Sequence, residues 1–276
     1  MTNDRHRLFT AGMMAAALAL LAACAAPAKP AAVAAPDGPL VRGVAYVGQS
    51  VSDIEKTTAY YHATAALSVV AEGSLSGAKA LQTIAGKPVR VETRLLRGST
   101  GQIRLMQFKA PGAAAKSAGI VPVQGPGITH VCHQSPDDKP LFAKFIAAGA
   151  KPVSRTGDLV QLRPDVPVRY GYARDPDGTM SETEQLMREG LTWTYRMRHV
   201  AIAVADIDRT VAFYTALLGR EPRERRSNLV NKTLDVTADL DNVKLDVAWY
   251  NLNNLELEIW EYLNHPVTAP TTPRPL

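Results

Sequence analysis

The alternation of apolar and polar residues predicts three copies of one structural unit between residues 40 and 265. Each copy opens on a similar segment that ends in aspartate: VAYVGQSVSD from Val44, ITHVCHQSPD from Ile128 and RHVAIAVAD from Arg198. An apolar pattern with a 3.6-residue period follows each aspartate, which predicts an amphipathic helix with that aspartate as its N-cap. The predicted helices cover residues 54–66, 139–148 and 207–218.

Strand-like sequence follows each predicted helix and ends in one last strand. The last strands are GQIRLMQF from Gly101, GTMSETEQ from Gly178 and NLELEIWEY from Asn254. Each unit therefore has the order βαβββ, which makes the chain an α+β protein. The predicted boundaries are 40–112 for module 1, 126–190 for module 2 and 196–265 for module 3.

The phrases GITHVCHQ, YARDPDGTMSETEQ and MRHVAIAVADIDRTVAFYTALLG resemble the glyoxalase/bleomycin-resistance/extradiol-dioxygenase superfamily, also called the vicinal oxygen chelate superfamily. The resemblance implies that the modules pair into open, cup-shaped mixed sheets. It also implies that the first strand of a module supplies a histidine and the last strand a glutamate.

Two modules carry that pair of residues. His130 and His199 each lie seven residues before the aspartate of their segment. The resemblance aligns the last-strand sequences SETEQL and EIWEYL through the Glu-Leu register of the family, which places Glu182 and Glu258 opposite the histidines. A single histidine on a strand usually has a structural role, but two in register, each with a partnered glutamate, favour a site for one divalent ion. Imidazole and carboxylate suit Zn, Fe, Mn, Ni or Co without selecting among them.

A register shift of two residues would replace this pair of glutamates by Glu184 and Glu256, which lie on the same strand faces. His133 is three residues from His130 and is predicted to face away from the cup. Cys132 shares the face of His130, where a small buried apolar role is the expectation.

Module 1 lacks the metal-binding pair, because Tyr46 stands at the histidine position and Arg104 at the glutamate position. Modules 2 and 3 are therefore predicted to form the working cup. Module 1 then either pairs with its counterpart in a homodimer or caps the pocket, and the alternative pairing of modules 1 and 2 stays open.

Four protein ligands on a six-coordinate ion leave two adjacent positions for the vicinal oxygens of a small molecule. This geometry favours a lyase or isomerase that acidifies a C–H bond beside a carbonyl group, with Glu182 or Glu258 as the general base. The resemblance leaves two alternatives: a metal-free binding module of the bleomycin-resistance type, and an extradiol ring-cleaving dioxygenase.

The N-terminus has the features of a bacterial lipoprotein signal. Arg5 and Arg7 precede an apolar run that is too short to span a bilayer, and the run ends in Leu-Ala-Ala-Cys24. We expect residues 1–23 to be removed, Cys24 to carry lipid on the periplasmic side, and Ala25 to favour the outer membrane slightly. Export argues against glyoxalase I activity itself, because glutathione adducts form in the cytoplasm.

The remaining segments and the charge distribution add four expectations. The Ala/Pro-rich residues 24–39 predict a tether, and residues 266–276 predict a disordered tail. The 31 Lys and Arg residues exceed the 26 Asp and Glu residues only slightly and form no long basic block, which argues against nucleic-acid binding. The densest basic cluster, residues 220–226, is interleaved with glutamates and predicts a solvated sheet edge.

Overall fold

The computed structural model describes residues 41–76, 89–109 and 120–266, which all belong to one compact unit. The predicted signal peptide, Cys24, the tether and nearly all of the predicted tail lie outside the described residues. Within the described part, no helix has the length and apolarity needed to cross a membrane.

Module 1 forms a four-stranded mixed sheet with one helix. Its elements are β1 (Val47–Ser50), α1 (Ile54–Ala65), β2 (Ser68–Ser76), β3 (Arg90–Arg97) and β4 (Gln102–Lys109). The strand order is β1-β4-β3-β2, in which β1 and β4 run parallel. The helix begins at the predicted residue because the Asp53 carboxylate accepts hydrogen bonds from the backbone N–H groups of Glu55 and Lys56.

Modules 2 and 3 repeat this arrangement. Module 2 contains β5 (Gly127–Pro136), α2 (Leu141–Ala147), β6 (Lys151–Pro152), β7 (Val160–Arg163), β8 (Val166–Arg174) and β9 (Met180–Leu186). Module 3 contains β10 (Arg196–Ala203), α3 (Ile207–Leu218), β11 (Glu224–Val230), α4 (Lys232–Ala238), β12 (Lys244–Asn251) and β13 (Glu256–Tyr262). In both modules the first strand runs parallel to the last.

The first strands of modules 2 and 3 pair antiparallel and join the two modules into one nine-stranded sheet. The described chain therefore has the predicted α+β fold, and modules 2 and 3 form the cup. The alternative pairing of module 1 with module 2 through their sheets is wrong for this chain. Both first strands can serve as the joint because each lies at the edge of its own module.

Module 1 packs against the back of module 2, on the side away from the cup. One apolar cluster contains Tyr60 and Tyr61 of α1, Phe142 and Phe145 of α2, and Val131 of β5. Of the described residues that line the cup pocket, none belongs to module 1. The described residues of module 1 therefore do not cap this pocket, and helix α1 buries its apolar face against α2.

The second predicted helix begins later than expected. Asp137 is not its N-cap, since the helix starts at Leu141 with Pro140 in the cap position. Proline disfavours helical dihedral angles in the preceding residue, so Lys139 stays outside the helix. The Asp137 carboxylate instead accepts a hydrogen bond from Gln185 Nε2 at 2.5 Å.

Candidate metal centre

The three modules hold their first and last strands in the same register. Gly48 lies opposite Arg104 in module 1, Cys132 opposite Glu182 in module 2, and Ala201 opposite Glu258 in module 3. The histidine position of each module lies two residues before the first-strand member of this pair. It is Tyr46 in module 1, His130 in module 2 and His199 in module 3. A shared register explains why the same two positions face the cup in modules 2 and 3.

The structure brings the four predicted residues of modules 2 and 3 together. Their ligand-type atoms all lie within 4.8 Å of one another: one each from His130, Glu182, His199 and Glu258. The two Nε2 atoms are 3.3 Å apart. Glu182 Oε2 lies 2.8 Å from His199 Nε2 and 3.1 Å from His130 Nε2, and Glu258 Oε2 lies 3.2 and 3.6 Å from the same two nitrogens.

All four side chains are buried, so their charges interact strongly. Burial opposes ionisation of Glu182, but the hydrogen bonds from His130 and His199 outweigh it and hold the pKa of this carboxyl well below its usual range. Burial also opposes ionisation of Glu258, and the positive charge of His199 lowers its pKa. The cluster therefore favours two carboxylates around a positive charge.

The residues present fit a divalent ion. Glu258 Oε2 is fully buried and makes no well-directed hydrogen bond, although it points at the centre of the cluster. A buried acceptor without a donor is costly, and a cation between the four atoms would satisfy it. On the outer side of one imidazole, Thr129 Oγ1 lies 3.2 Å from His130 Nδ1, a contact that helps to fix the ring with Nε2 inward.

Glu182, His199 and Glu258 line a pocket of about 430 Å³ inside the cup. Helix α4 closes one side of it through Leu234, and Trp249 and Trp260 of β12 and β13 form an aromatic surface. A concave pocket with a few convergent polar groups is the usual form of a small-molecule site. Three of the four residues are therefore accessible to a small ligand from this pocket.

The corresponding place in module 1 holds a different contact. The Arg104 guanidinium lies 3.9 Å from the centre of the Tyr46 ring, in a cation–π arrangement. Tyr46 is 41 % exposed, whereas His130 and His199 are buried. Among the described residues, no group of three metal-ligand side chains occurs in module 1.

The two neighbouring residues that the sequence singled out, His133 and Cys132, lie in different environments. His133 faces away from the cup and is buried between the rings of Tyr61 and Phe145. Cys132 is buried on the cup face, and its sulfur lies within 4.8 Å of carboxylate oxygens of Glu182 and Glu184. Burial raises the pKa of its thiol well above the usual value. Within the described residues, Cys132 is a free cysteine.

Glu184 and Glu256, the register alternatives, are not part of the four-residue cluster. Both instead pair with Arg198, which also lines the pocket. Sequence reasoning missed this arginine, because residues 198 and 199 should face opposite sides of a regular strand. Strand β10 contains a bulge at this point. Met197 pairs with His133 and Val200 with Val131, so β10 has one more residue than β5 between the two pairs. The extra residue turns the side chains of both Arg198 and His199 into the cup.

Known protein structures share this fold. A glyoxalase I variant from Zea mays superposes with a TM-score of 0.50 and 16 % identity, over 80 % of this chain and 68 % of that chain. A Bacillus subtilis protein classed as a dioxygenase superposes with a TM-score of 0.51 and 12 % identity, over 84 % of this chain and 66 % of that chain. No protein-family model matches the sequence, and no curated protein matches it. The chain has the vicinal oxygen chelate fold that its sequence motifs resemble.

Proposed function

We propose that the protein is a metal-dependent lyase or isomerase of the glyoxalase type that acts on a small molecule with vicinal oxygens. His130, Glu182, His199 and Glu258 would hold one divalent ion. The observation that supports this most is their convergence, with ligand atoms within 4.8 Å, beside a pocket of about 430 Å³.

When bound, the divalent ion supplies Lewis acidity, which polarises a carbonyl oxygen and acidifies the adjacent C–H bond. The protein must then accept the proton. Either glutamate would have to leave the ion to act as the base. Glu258 is the better placed of the two, because its Oε2 lies 3.2 and 3.6 Å from the imidazole nitrogens, whereas Glu182 Oε2 lies within 3.1 Å of both. Trp249 and Trp260 line the pocket and would exclude water from the part of it that they cover.

Deuterium exchange tests the proposed reaction class without knowledge of the natural substrate. Hydroxyacetone in D₂O is incubated with the full chain loaded with Zn, Mn, Ni or Co, and proton NMR follows loss of its C–H signals. We expect exchange that is about 100-fold slower in Glu258→Gln, because glutamine cannot accept the proton. The matched control is Glu261→Gln, on the same strand and outside the pocket lining.

Exchange no faster than with the free ion would contradict the proposal. Tight binding of a small molecule by the metal-free chain would favour a binding module. Oxygen consumption with catechols by the iron-loaded chain would favour the dioxygenase alternative.

We also propose that the mature protein is anchored by lipid on Cys24 at the periplasmic side of a membrane, with the outer membrane slightly favoured. The apolar run before Leu-Ala-Ala-Cys24 and the following alanine support this. Cys24→Ser should abolish incorporation of a radioactive fatty acid, because the serine hydroxyl does not replace the thiolate as acceptor. Equal labelling of the Ser variant and the wild type would show that the lipid is elsewhere or absent.

A homodimer is the third proposal. Strand β2 is exposed along its whole length at the edge of the module 1 sheet. Val69, Val70 and Leu75 on this strand are 42 to 53 % exposed. An open edge with apolar side chains is a surface that a second copy can pair with.

A further inference from the structure

The cup pocket has one apolar wall and one charged wall. Leu229, Leu245, Val247 and the two tryptophans form the apolar wall. Beside it stands a row of arginine and glutamate side chains, which includes part of the 220–226 segment. The sequence predicted a solvated sheet edge for this segment, whereas Arg223 and Arg226 line the pocket.

The row alternates in charge from the buried end to the rim. Arg198 Nη1 pairs with Glu184, and its Nε lies 3.0 Å from Glu256 Oε2. Arg223 Nη2 lies 3.0 Å from Glu256 Oε1, and its Nη1 lies 3.4 Å from Glu224 Oε2. Arg226 Nε then lies 2.6 Å from Glu224 Oε1. Side-chain exposure rises along the arginines, from 29 % at Arg198 to 52 % at Arg226.

Stability alone does not account for this row. Partly exposed ion pairs add only about 0 to 1 kcal/mol each to the stability of a fold. Holding three long arginine side chains in place beside a pocket also costs side-chain entropy. The structure does order them, because Arg198 and Arg223 both lie over the Trp249 ring, at 5.2 and 5.3 Å from its centre. Stacked guanidinium groups lose less entropy when they bind an anion, and are therefore suited to recognition.

The guanidinium groups keep free donors. A guanidinium carries five N–H donors. Within the described chain, Arg226 contacts a carboxylate only through Nε, which leaves both terminal nitrogens available. Arg163 of module 2 also lines the pocket, and its nearest carboxylate, Asp165, is 3.6 Å away, 78 % exposed and outside the pocket lining.

The charges of the pocket do not cancel. Four arginines line it: Arg163, Arg198, Arg223 and Arg226. Outside the candidate metal centre, Glu184 and Glu224 are the two carboxylates among the described lining residues. Glu182 and Glu258 would be neutralised by a divalent ion. The lining therefore carries an excess of positive charge on the arginine side of the pocket.

We infer that the substrate carries an oxyanion, a carboxylate in the simplest case, at the end remote from its vicinal oxygens. The arginine row binds this group, and the tryptophan wall contacts the body of the molecule between the two ends. Bidentate pairing with a planar oxyanion is the interaction for which free guanidinium donors are best suited. The inference rests on the proposed function, since the vicinal oxygens define the other end.

Calorimetric titration of the zinc-loaded full chain with two matched chelators tests it. The probes are 3-(3,4-dihydroxyphenyl)propanoate and its neutral methyl ester, which share the same catechol oxygens and differ in charge at the far end. We expect the carboxylate to bind about 10-fold more tightly than the ester in the wild type. Arg223→Gln and Arg226→Gln should each reduce that ratio to about 3-fold or less and leave the affinity for the ester unchanged.

Arg209→Gln is the control, because Arg209 is an exposed arginine on α3, outside the pocket lining. Equal affinities of both probes for the wild type would overturn the inference while chelation stands. A loss of selectivity in Arg209→Gln as large as in Arg226→Gln would overturn it as well, because net charge would then be the cause. Failure of both probes to bind a chain that holds zinc would overturn the proposed function together with the inference.

Discussion

Histidines on β5 and β10 differ in what their rings face. His130 and His199 turn toward two carboxylates. Burial by itself would lower the pKa of His130, but its contacts with Glu182 and Glu258 outweigh burial and raise it. His133 lies on the other side of β5, where burial lowers its pKa to about 4 and keeps the ring neutral. The same residue type thus serves a polar cluster on one face and an aromatic core on the other.

His133→Ala should therefore destabilise the fold without weakening metal binding. The substitution removes a buried ring that contacts Tyr61 and Phe145, at a cost of about 2 to 4 kcal/mol. Urea unfolding of the metal-free chain measures the loss, with His62→Ala as a control on the less buried α1 surface. A stability change below about 1 kcal/mol would show that the ring is not part of the core.

Asp175 gives the protein a pH dependence of stability. Burial raises the pKa of this carboxyl to about 6, although Gln49 donates a 2.7 Å hydrogen bond to its Oδ2. The folded-state pKa is then above the unfolded value of about 3.9, so the folded chain binds the proton more tightly. The contribution of Asp175 to stability is present below pH 4 and is lost as the pH rises through 6.

Asp175→Asn should remove this contribution. Between pH 4.5 and pH 7 we expect the wild type to lose about 2 kcal/mol more stability than the Asn variant. Urea denaturation of both proteins at the two pH values gives the difference, and Asp165→Asn at an exposed position is the control. Parallel stability profiles for the wild type and Asp175→Asn would contradict a raised pKa.

At the scale of elements, the turn from Asp175 to Gly178 of module 2 forms hydrogen bonds with module 1. Its backbone closes through a 2.9 Å hydrogen bond from Gly178 N to Asp175 O, as expected for a tight turn. Module 1 holds the turn through Ser52 N, 3.1 Å from Asp177 Oδ1, and through Thr57 Oγ1, 2.9 Å from Asp177 Oδ2. Strand β9, which carries Glu182, begins two residues after this turn.

Thr57→Val should destabilise the contact between the modules by about 2 kcal/mol, because it removes a buried hydrogen bond to a carboxylate. Thr58→Val is the matched control, because Thr58 Oγ1 bonds to the Ile54 carbonyl and to Arg94, both within module 1. We expect a change of less than about 0.5 kcal/mol for the control. Equal changes in thermal denaturation would mean that the bond to Asp177 adds nothing.

The elements also show where sequence reasoning succeeds and where it stops. Asp53 and Asp206 cap their helices as predicted, because an N-cap needs only a local carboxylate and free N–H groups. The position of Arg198 depends on a bulge between β10 and β5. A bulge arises from the pairing of two distant strands, so the spacing within one strand does not reveal it.

For the whole molecule, the repeated pattern predicts three modules, and the family resemblance supplies the register that selects the residues facing the cup. It could not decide where module 1 lies, because the sequence of a module does not state which edge or face meets its neighbour. The apolar cluster of Tyr61, Phe145 and Val131 decides it, and these residues come from two modules. Candidate ligands follow a local register and are predictable, whereas the packing of modules is not.

The proposed dimer is tested by sedimentation of the chain without residues 1–39 at micromolar concentration. Since Val70 is exposed on the open edge of β2, Val70→Lys should shift the protein toward monomer by placing a charge at the interface. Thr93→Lys on the neighbouring interior strand is the control for charge alone. A wild-type monomer would show that module 1 needs no second copy.

The most direct test of the central claim is calorimetric titration of the full chain with zinc. We expect one ion per chain, a loss of at least about 100-fold in affinity for His199→Ala, and no change for His133→Ala. The first substitution removes one of four converging ligands, whereas the second removes a ring on the opposite face of the sheet. Equal losses in the two variants, or no ion in the wild type under any divalent loading, would contradict the account.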